Sequence, residues 1–159
     1  MAKNVVIAVA SSGDAETIAA ILLDAFREFE PLYTPGGFRA TTPSAAELLA
    51  RWAEGPSWIA TIDGTPVGTV GAVDRGDEVY VRSMAVTPAA RGAGVGQALL
   101  DAVTRFAVDT GARRMRLSAT PFLHAGIRLY ERAGFTPQPG PLDLHGTPLF
   151  GMVKDLGAP

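Results

Sequence analysis

The chain contains no cysteine, which excludes a disulfide framework, a thiolate zinc site and a catalytic thiol. Histidine is nearly absent too. His124 and His145 are the two imidazoles available as bases or ligands, and no metal is expected. Charge is sparse, with 19% Asp, Glu, Lys and Arg and a formal net charge of −2. That balance argues against nucleic acid as a partner, since excess positive charge supplies most of such affinity. It leaves room for a small anionic ligand, because backbone amides hold phosphates without net positive charge. No apolar stretch reaches membrane-spanning length, so no membrane partner is expected. Lys3 ahead of the apolar run Val5 to Ala10 has the look of a secretory leader, with Ala8-Val9-Ala10 as its cleavage triplet. The run is too short for that, however, and Asp14 opens a polar stretch at once. A first strand and a cytoplasmic location are the expectations.

What is present suits one domain over residues 1–159, with 47% apolar residues to fill its core. The 12 prolines and 18 glycines are scattered, so no linker or low-complexity tract stands out. Asn4 to Ala10 reads as a strand. Ser11 to Asp14 then resembles a capping box, ahead of a helix with Ile18, Ile21, Leu22, Ala25, Phe26 and Phe29 on one face and Pro31 at its end. Leu32 to Thr42 reads as a loop. A short helix follows from Ser44, with Leu48, Leu49 and Trp52 turned inward. Three strands come next (Ser57 to Ile62, Val67 to Val73, Glu78 to Val86), the first pair joined by Asp63-Gly64. A long helix to about Thr110 carries Val95, Ala98, Leu99, Ala102, Val103 and Phe106 at helical spacing. Then come a strand from Arg114 to Ser118, a helix from Pro121 to Ala133, and a final strand pair with His145-Gly146 near its turn. The order βααβββαβαββ implies an α/β fold with a mixed, mostly antiparallel central sheet flanked by helices.

The most informative stretch is Arg91-Gly92-Ala93-Gly94-Val95-Gly96-Gln97, between a strand and a long helix. Alternate glycines there present backbone N–H groups, unobstructed by Cβ atoms, at the positive end of a helix. A pyrophosphate is the natural tenant. Neither common phosphate fingerprint fits: Gly96-Gln97-Ala98 lacks the Lys-Ser/Thr of a Walker loop, and Gln97 or Leu99 stands where a dinucleotide motif needs its last glycine. A turn that merely lets strand and helix pack closely is the competing reading.

Two motifs carry a resemblance. Arg91-x-x-Gly94-x-Gly96, after Met84-Ala85-Val86 and Pro88, resembles the acyl-CoA-binding motif of the GCN5-related N-acetyltransferase (GNAT) family. Leu129-Tyr130-Glu131-Arg132-Ala133-Gly134-Phe135 resembles that family's Leu-Tyr-x-x-x-Gly-Phe signature. The resemblance implies that acetyl-CoA is the cosubstrate, with its pantetheine arm between two splayed strands. Met84, Ala85 and Val86 would line that arm, and the Met84 amide would face the acetyl oxygen. Arg91, Gly92, Ala93, Gly94, Val95, Gly96 and Gln97 would hold the pyrophosphate, and Tyr130 would protonate the departing thiolate. Leu123 stands where many relatives have an asparagine that contacts the cofactor, and Gly126 replaces a common alanine.

The base stays open. A lysine-type amine must lose about 3.4 pKa units, or about 4.6 kcal/mol, before it attacks at neutral pH; an α-amine needs only about 1 kcal/mol. Glu78 is a candidate on the strand that carries Tyr80; Glu28, Glu30 and a water relay are others. The resemblance implies an acceptor pocket built from the first two helices, their loop and the final strands, which here makes Phe26, Phe29, Tyr33, Tyr80 and Arg82 the expected contacts, joined by Phe38, Arg39, Trp52 and the His145 turn. They suit a small-molecule amine that carries a carboxylate, such as an amino acid. A peptide or protein amine is the alternative acceptor, and a non-catalytic acyl-CoA sensor the alternative function. Relatives of this kind are monomers or homodimers.

Overall fold

The computed structural model describes residues 4–157. Strand β1 (Val5–Val9) leads to a capping box in which the Ser11 N–H donates to Asp14 Oδ2 at 2.8 Å. Helix α1 (Ala15–Phe26) follows and buries Ala15, Ile18, Ile21, Leu22 and Ala25 along one stripe. It ends before Pro31, which instead lies within a tighter 3-10 segment, Arg27–Leu32.

The loop expected from Leu32 to Thr42 is corrected by the structure: helix α2 occupies Pro35–Thr41. Thr34 caps it, accepting from the Gly37 N–H at 3.0 Å, with Pro35 at the first helical position. Adjacent glycines read as loop residues because they weaken an isolated helix, but here tertiary contacts supply what propensity lacks. Helix α3 (Ala45–Ala50) has a true capping box between Ser44 and Glu47. Leu48 is buried and Trp52 half-buried, whereas Leu49 points outward, at 46% exposure, against expectation.

Strands β2 (Ser57–Ile62), β3 (Thr65–Asp74) and β4 (Glu78–Val86) form an antiparallel meander. Asp63 and Gly64 both take positive φ in its first turn, as a two-residue hairpin of this twist requires. Helix α4 (Val95–Asp109) then crosses to β5 (Arg114–Ala119), which lies parallel to β4. Helix α5 (His124–Arg132), the short strands β6 (Thr136–Pro137) and β7 (Leu142–Leu144), and the long β8 (Thr147–Asp155) complete the fold. The sheet order is β1-β2-β3-β4-β5-β8-β6, with β7 paired to β8. The mixed, mostly antiparallel architecture thus matches the sequence reading.

Strand alternation divides the core between the two faces of the sheet. Trp58 and Ala60 join Val95, Leu99 and Val103 of α4, whereas Ile59 and Ala85 join Ile18, Ile21 and Leu22 of α1. Gly68 permits the first contact: a Cβ there would lie 2.8 Å from Val95 Cγ1 and 3.0 Å from Leu99 Cδ1. No helix among the described residues is long and apolar enough to cross a membrane.

Helix α2 is clamped to the β7–β8 hairpin. The Thr34 N–H donates to Thr147 Oγ1 at 2.9 Å, and Thr34 Oγ1 donates to the His145 carbonyl at 2.7 Å. The clamp requires Gly37, where a Cβ would stand 2.2 Å from Thr147 Oγ1 and 3.0 Å from the Leu144 carbonyl oxygen. Gly37→Ala should therefore cost about 1–3 kcal/mol, the usual penalty of overpacking, although alanine is the better helix former. Urea unfolding would read this; a gain in stability would mean that the helix and hairpin separate freely.

Candidate active site

Strands β4 and β5 pair over three positions only, Glu78 to Tyr80 against Arg114 to Arg116. Beyond that point β4 continues to Val86 and β5 to Ala119 without pairing, so a cleft opens between them. A β-bulge helps to open it. The β3–β4 register moves from Thr69↔Ala85 to Gly71↔Arg82, and Ser83 in the bulge has φ +55°. Arg51 braces the bulge by donating from Nη2 to Ser83 Oγ at 2.9 Å.

The glycine turn lies at the open end of the cleft. Gly92 and Gly94 have φ of +83° and +81°, and a Cβ on either would meet nothing within 4 Å, so the space before the turn is clear. Gly94 is the N-cap of α4, and no side chain caps the helix. The amides of Val95, Gly96 and Gln97 therefore lie at its positive end, where an anion fits. Gly96 has a second role: a Cβ there would approach Leu129 Cδ2 to 3.0 Å, so the glycine lets α4 and α5 meet. Val95 is part of the core, and the Gln97 amide turns along the helix to Asp101 Oδ1 at 2.8 Å. Turn and unpaired strand edges together offer backbone polar groups to an extended anionic ligand, as the resemblance to acyl-CoA-binding proteins implies.

Arg91 does not point toward that space. Its guanidinium donates to the Ala25 carbonyl at 3.1 Å, pairs with Glu28 and stacks over Phe29 at 5.8 Å. Its charge is already matched, and it ties the glycine turn to the end of α1. Met84 and Val86 pack partly buried against the α4 core, while Ala85 is buried against α1. Leu123 is the half-buried N-cap of α5 and His124 is exposed.

Tyr130 on α5 packs against Phe135 at 6.0 Å. Burial pushes its hydroxyl up to about 12, and Tyr33 and Tyr80 add to the rise, so all three tyrosines of the chain bear on one region. Burial also raises Tyr33, with the hydroxyls of Thr120 and Thr41 offsetting part of the effect. The Tyr33 ring meets Phe122 edge-on at 4.9 Å and Phe38 at 5.9 Å, and Phe29 lies 6.5 Å from Phe122. These aromatics form one cluster between α2 and the start of α5. Beside them Thr120 Oγ1 is buried, and its hydroxyl bears on Tyr33. Thr120 and Phe122 were not anticipated: the helix expected from Pro121 begins only at His124, so both residues fall in the turn that precedes it.

Three expected site residues are placed elsewhere. Phe26 packs in the α1 core. Arg82 is held by Glu54, with Nη2 to Oε1 at 3.2 Å, and braces the bulge side of β4 rather than the aromatic wall. Glu78 lies where β4 and β5 are still paired, and its Oε1 accepts from Arg114 Nε and Arg116 Nε at 3.0 Å each while Arg75 reaches Oε2 at 3.3 Å. Burial pushes the Glu78 carboxyl up, but the hydrogen bonds from Arg114 and Arg116 prevail and hold it below the usual carboxylate value. A carboxylate so held is a poor proton acceptor. Tyr80 remains at the cleft, bridging the vertex where the strands part through its hydroxyl to Ser118 Oγ at 2.9 Å. Among the described residues no group of three His, Asp or Glu side chains could hold a metal ion.

Comparison with known proteins gives a consistent result. A model of the Acetyltransferase (GNAT) family matches residues 19–135. Mycothiol acetyltransferase of Cellulomonas flavigena is 30% identical over 142 residues, which is 84% of this chain and 38% of that protein. The chain thus spans well under half the length of this relative. PaiA N-acetyltransferase from Thermoplasma acidophilum, solved in complex with coenzyme A, superposes with a TM-score of 0.79 at 19% identity, covering 96% of this chain and 99% of that one. A GNAT family acetyltransferase from Elizabethkingia anophelis, solved with acetyl-CoA bound, gives 0.71 at 17% identity, covering 96% and 99%.

The Tyr130 environment has a measurable consequence. Its folded pKa of about 12 exceeds the ordinary 10.0, so the protonated phenol stabilises the fold below pH ~10 and that contribution is lost as pH rises through ~12. Alkaline difference absorbance should show a late tyrosine ionisation near pH 12 that disappears in Tyr130→Phe. A titration complete near pH 10 would mean that the phenol is solvated.

Proposed function

The chain belongs to the acetyltransferase (GNAT) family, and we propose on that premise that it transfers the acetyl group of acetyl-CoA to the primary amine of a small molecule. The observation that carries this reading is the parting of β4 and β5 beside an uncapped, glycine-lined helix start. The coenzyme A and acetyl-CoA named with two similar structures support it. When bound, acetyl-CoA supplies an activated thioester whose acyl carbon accepts an amine, forming an amide and releasing the thiol.

The residues divide that work. The amides of Gly92 to Gln97 hold the phosphates, and the unpaired edge of β4 from Ser83 to Val86 orients the arm as an added strand would. The Met84 N–H, just past the bulge, is the donor assigned to the developing oxyanion. Tyr130 holds its proton at neutral pH and is assigned as donor to the leaving sulfur. A solvated thiol ionises near 8.5, well below the phenol; burial that raises the phenol also raises a thiol beside it, which narrows the gap. No carboxylate is assigned as base: Glu78 is committed to its arginines, so water relays the amine proton. Tyr33, Phe38 and Phe122 form an aromatic cluster beside the clamped hairpin, and this cluster is assigned as the surface that receives the small amine.

Calorimetric titration with acetyl-CoA beside ATP tests the cofactor; saturable binding of acetyl-CoA alone is expected, and its absence would remove the enzyme claim. With an acceptor in hand, Tyr130→Phe should lower kcat by roughly 10²–10⁴-fold, the range for a lost general acid, while acetyl-CoA binding stays within a few-fold. Unchanged turnover would remove the tyrosine from the mechanism, and binding without turnover on any amine would favour an acyl-CoA sensor.

A further inference from the structure

An open pocket of about 460 Å3 lies on the β5–β8–β6 part of the sheet, lined in part by Arg114, Arg116, Thr136, Gln138 and Asp155. It does not coincide with the cleft. Arg116 pairs with Tyr80 in the last register position before β4 and β5 separate, so the pocket begins immediately below the vertex. Arg114, Arg116 and Ser118 share one strand face by alternation, and Ser118 carries the Tyr80 hydroxyl. Met115 and Leu117, on the opposite face, are buried in the α4 core. The pocket and the Tyr80 bar therefore lie on the face away from α4 and its glycine turn, from which an acceptor would approach.

The two arginines are set for a ligand. Each binds Glu78 through Nε alone, and among the described residues their terminal amino groups have no hydrogen-bond partner. Glu78 thus fixes the planes of both guanidiniums while leaving their outer edges, the edges that take a carboxylate or phosphate in a bidentate manner, toward the pocket. Arg75 shares the Glu78 charge from the other side. With Asp155 exposed at the rim, the cluster remains positive by one charge. Gly151 lies beside this space: a Cβ there would be in ordinary contact with Arg116 Nη1 at 3.8 Å and Gln138 Cβ at 3.9 Å.

We propose that this pocket binds an anionic group on the acceptor, a carboxylate or a phosphate, and so selects amines that carry an acid about 7–10 Å from the reacting nitrogen. The span follows from the strand rise of about 3.3 Å per residue between Arg116 and the cleft above Ser118. The proposal rests on the acetyltransferase reading for the position of the amine, but the pocket can be tested without it.

Two experiments on the full chain decide the matter. In the first, without acetyl-CoA, inorganic phosphate and hexanoate are titrated and followed by backbone amide shifts. Saturable shifts at Arg114, Arg116, Thr136 and Gln138 are expected, weakened tenfold or more in Arg114→Gln and Arg116→Gln but not in Arg75→Gln. That last variant also removes a Glu78 partner yet leaves the pocket wall intact. No saturable shift, or equal loss in Arg75→Gln, overturns the pocket. In the second, acetyl transfer is compared for 6-aminohexanoate, 6-aminohexyl phosphate and hexylamine. At least one acid-bearing amine should exceed hexylamine tenfold in kcat/KM, the better one identifying the anion, and Arg116→Gln should abolish the difference. Equal use of all three overturns the proposal. Failure of acetyl-CoA itself to bind would instead defeat the acetyltransferase reading, leaving the anion titration to decide the pocket alone.

Discussion

Everything about the site depends on where β4 and β5 stop being one sheet. A parallel pair interrupted after three residues leaves backbone donors and acceptors facing a cleft, and such groups must find partners elsewhere. The chain holds the cleft open from both sides. Below the vertex, Glu78 and the arginines of β5 stitch the strands together, and Tyr80 reaches across to Ser118. Above it, the bulge at Ser83 turns β4 away, with Arg51 bonded to the bulged side chain. Burial and the neighbouring Arg82 charge both lower the Arg51 pKa, but a guanidinium has enough margin to stay charged.

The sheet separates two tasks onto its two faces. Helices α4 and α5 with the glycine turn occupy one face; α1, α2 and the β7–β8 hairpin occupy the other. Arg91 joins them, since it leaves the glycine turn and ends on the last turn of α1, against Glu28 and Phe29. The residue that opens the phosphate motif in the sequence thus acts in space as a strut between the two walls.

Much of this was legible in the sequence, and what escaped did so for identifiable reasons. The strands and long helices follow from periodicity, and the turn at Gly92 to Gly96 from glycine's access to positive φ. Tyr130 was legible through its motif. Helix α2 was hidden because its stability lies in contacts with residues more than a hundred positions later, Thr147 and His145. The surroundings of Glu78 and Arg82 were hidden for a related reason. Strand alternation places both on one face with Tyr80, but ionic partners at Arg114, Arg116 and Glu54 depend on register between distant segments. Thr120 and Phe122 sit in the turn before α5, where the sequence pattern already starts the helix at Pro121, so only the packed structure reveals their surroundings.

The clamp between Thr34 and the β7–β8 hairpin bears on how a chain of this fold can be recombined with its relatives over evolutionary time or in the laboratory. The wall proposed to meet the acceptor is made of two stretches far apart in the gene that share a single hydrogen-bond network and a glycine contact with no spare room. Neither half is a module. A chimera that imports the segment around residues 33–41 from a relative inherits half of a lock, and it folds around the cleft only when residues 142–148 come from the same donor.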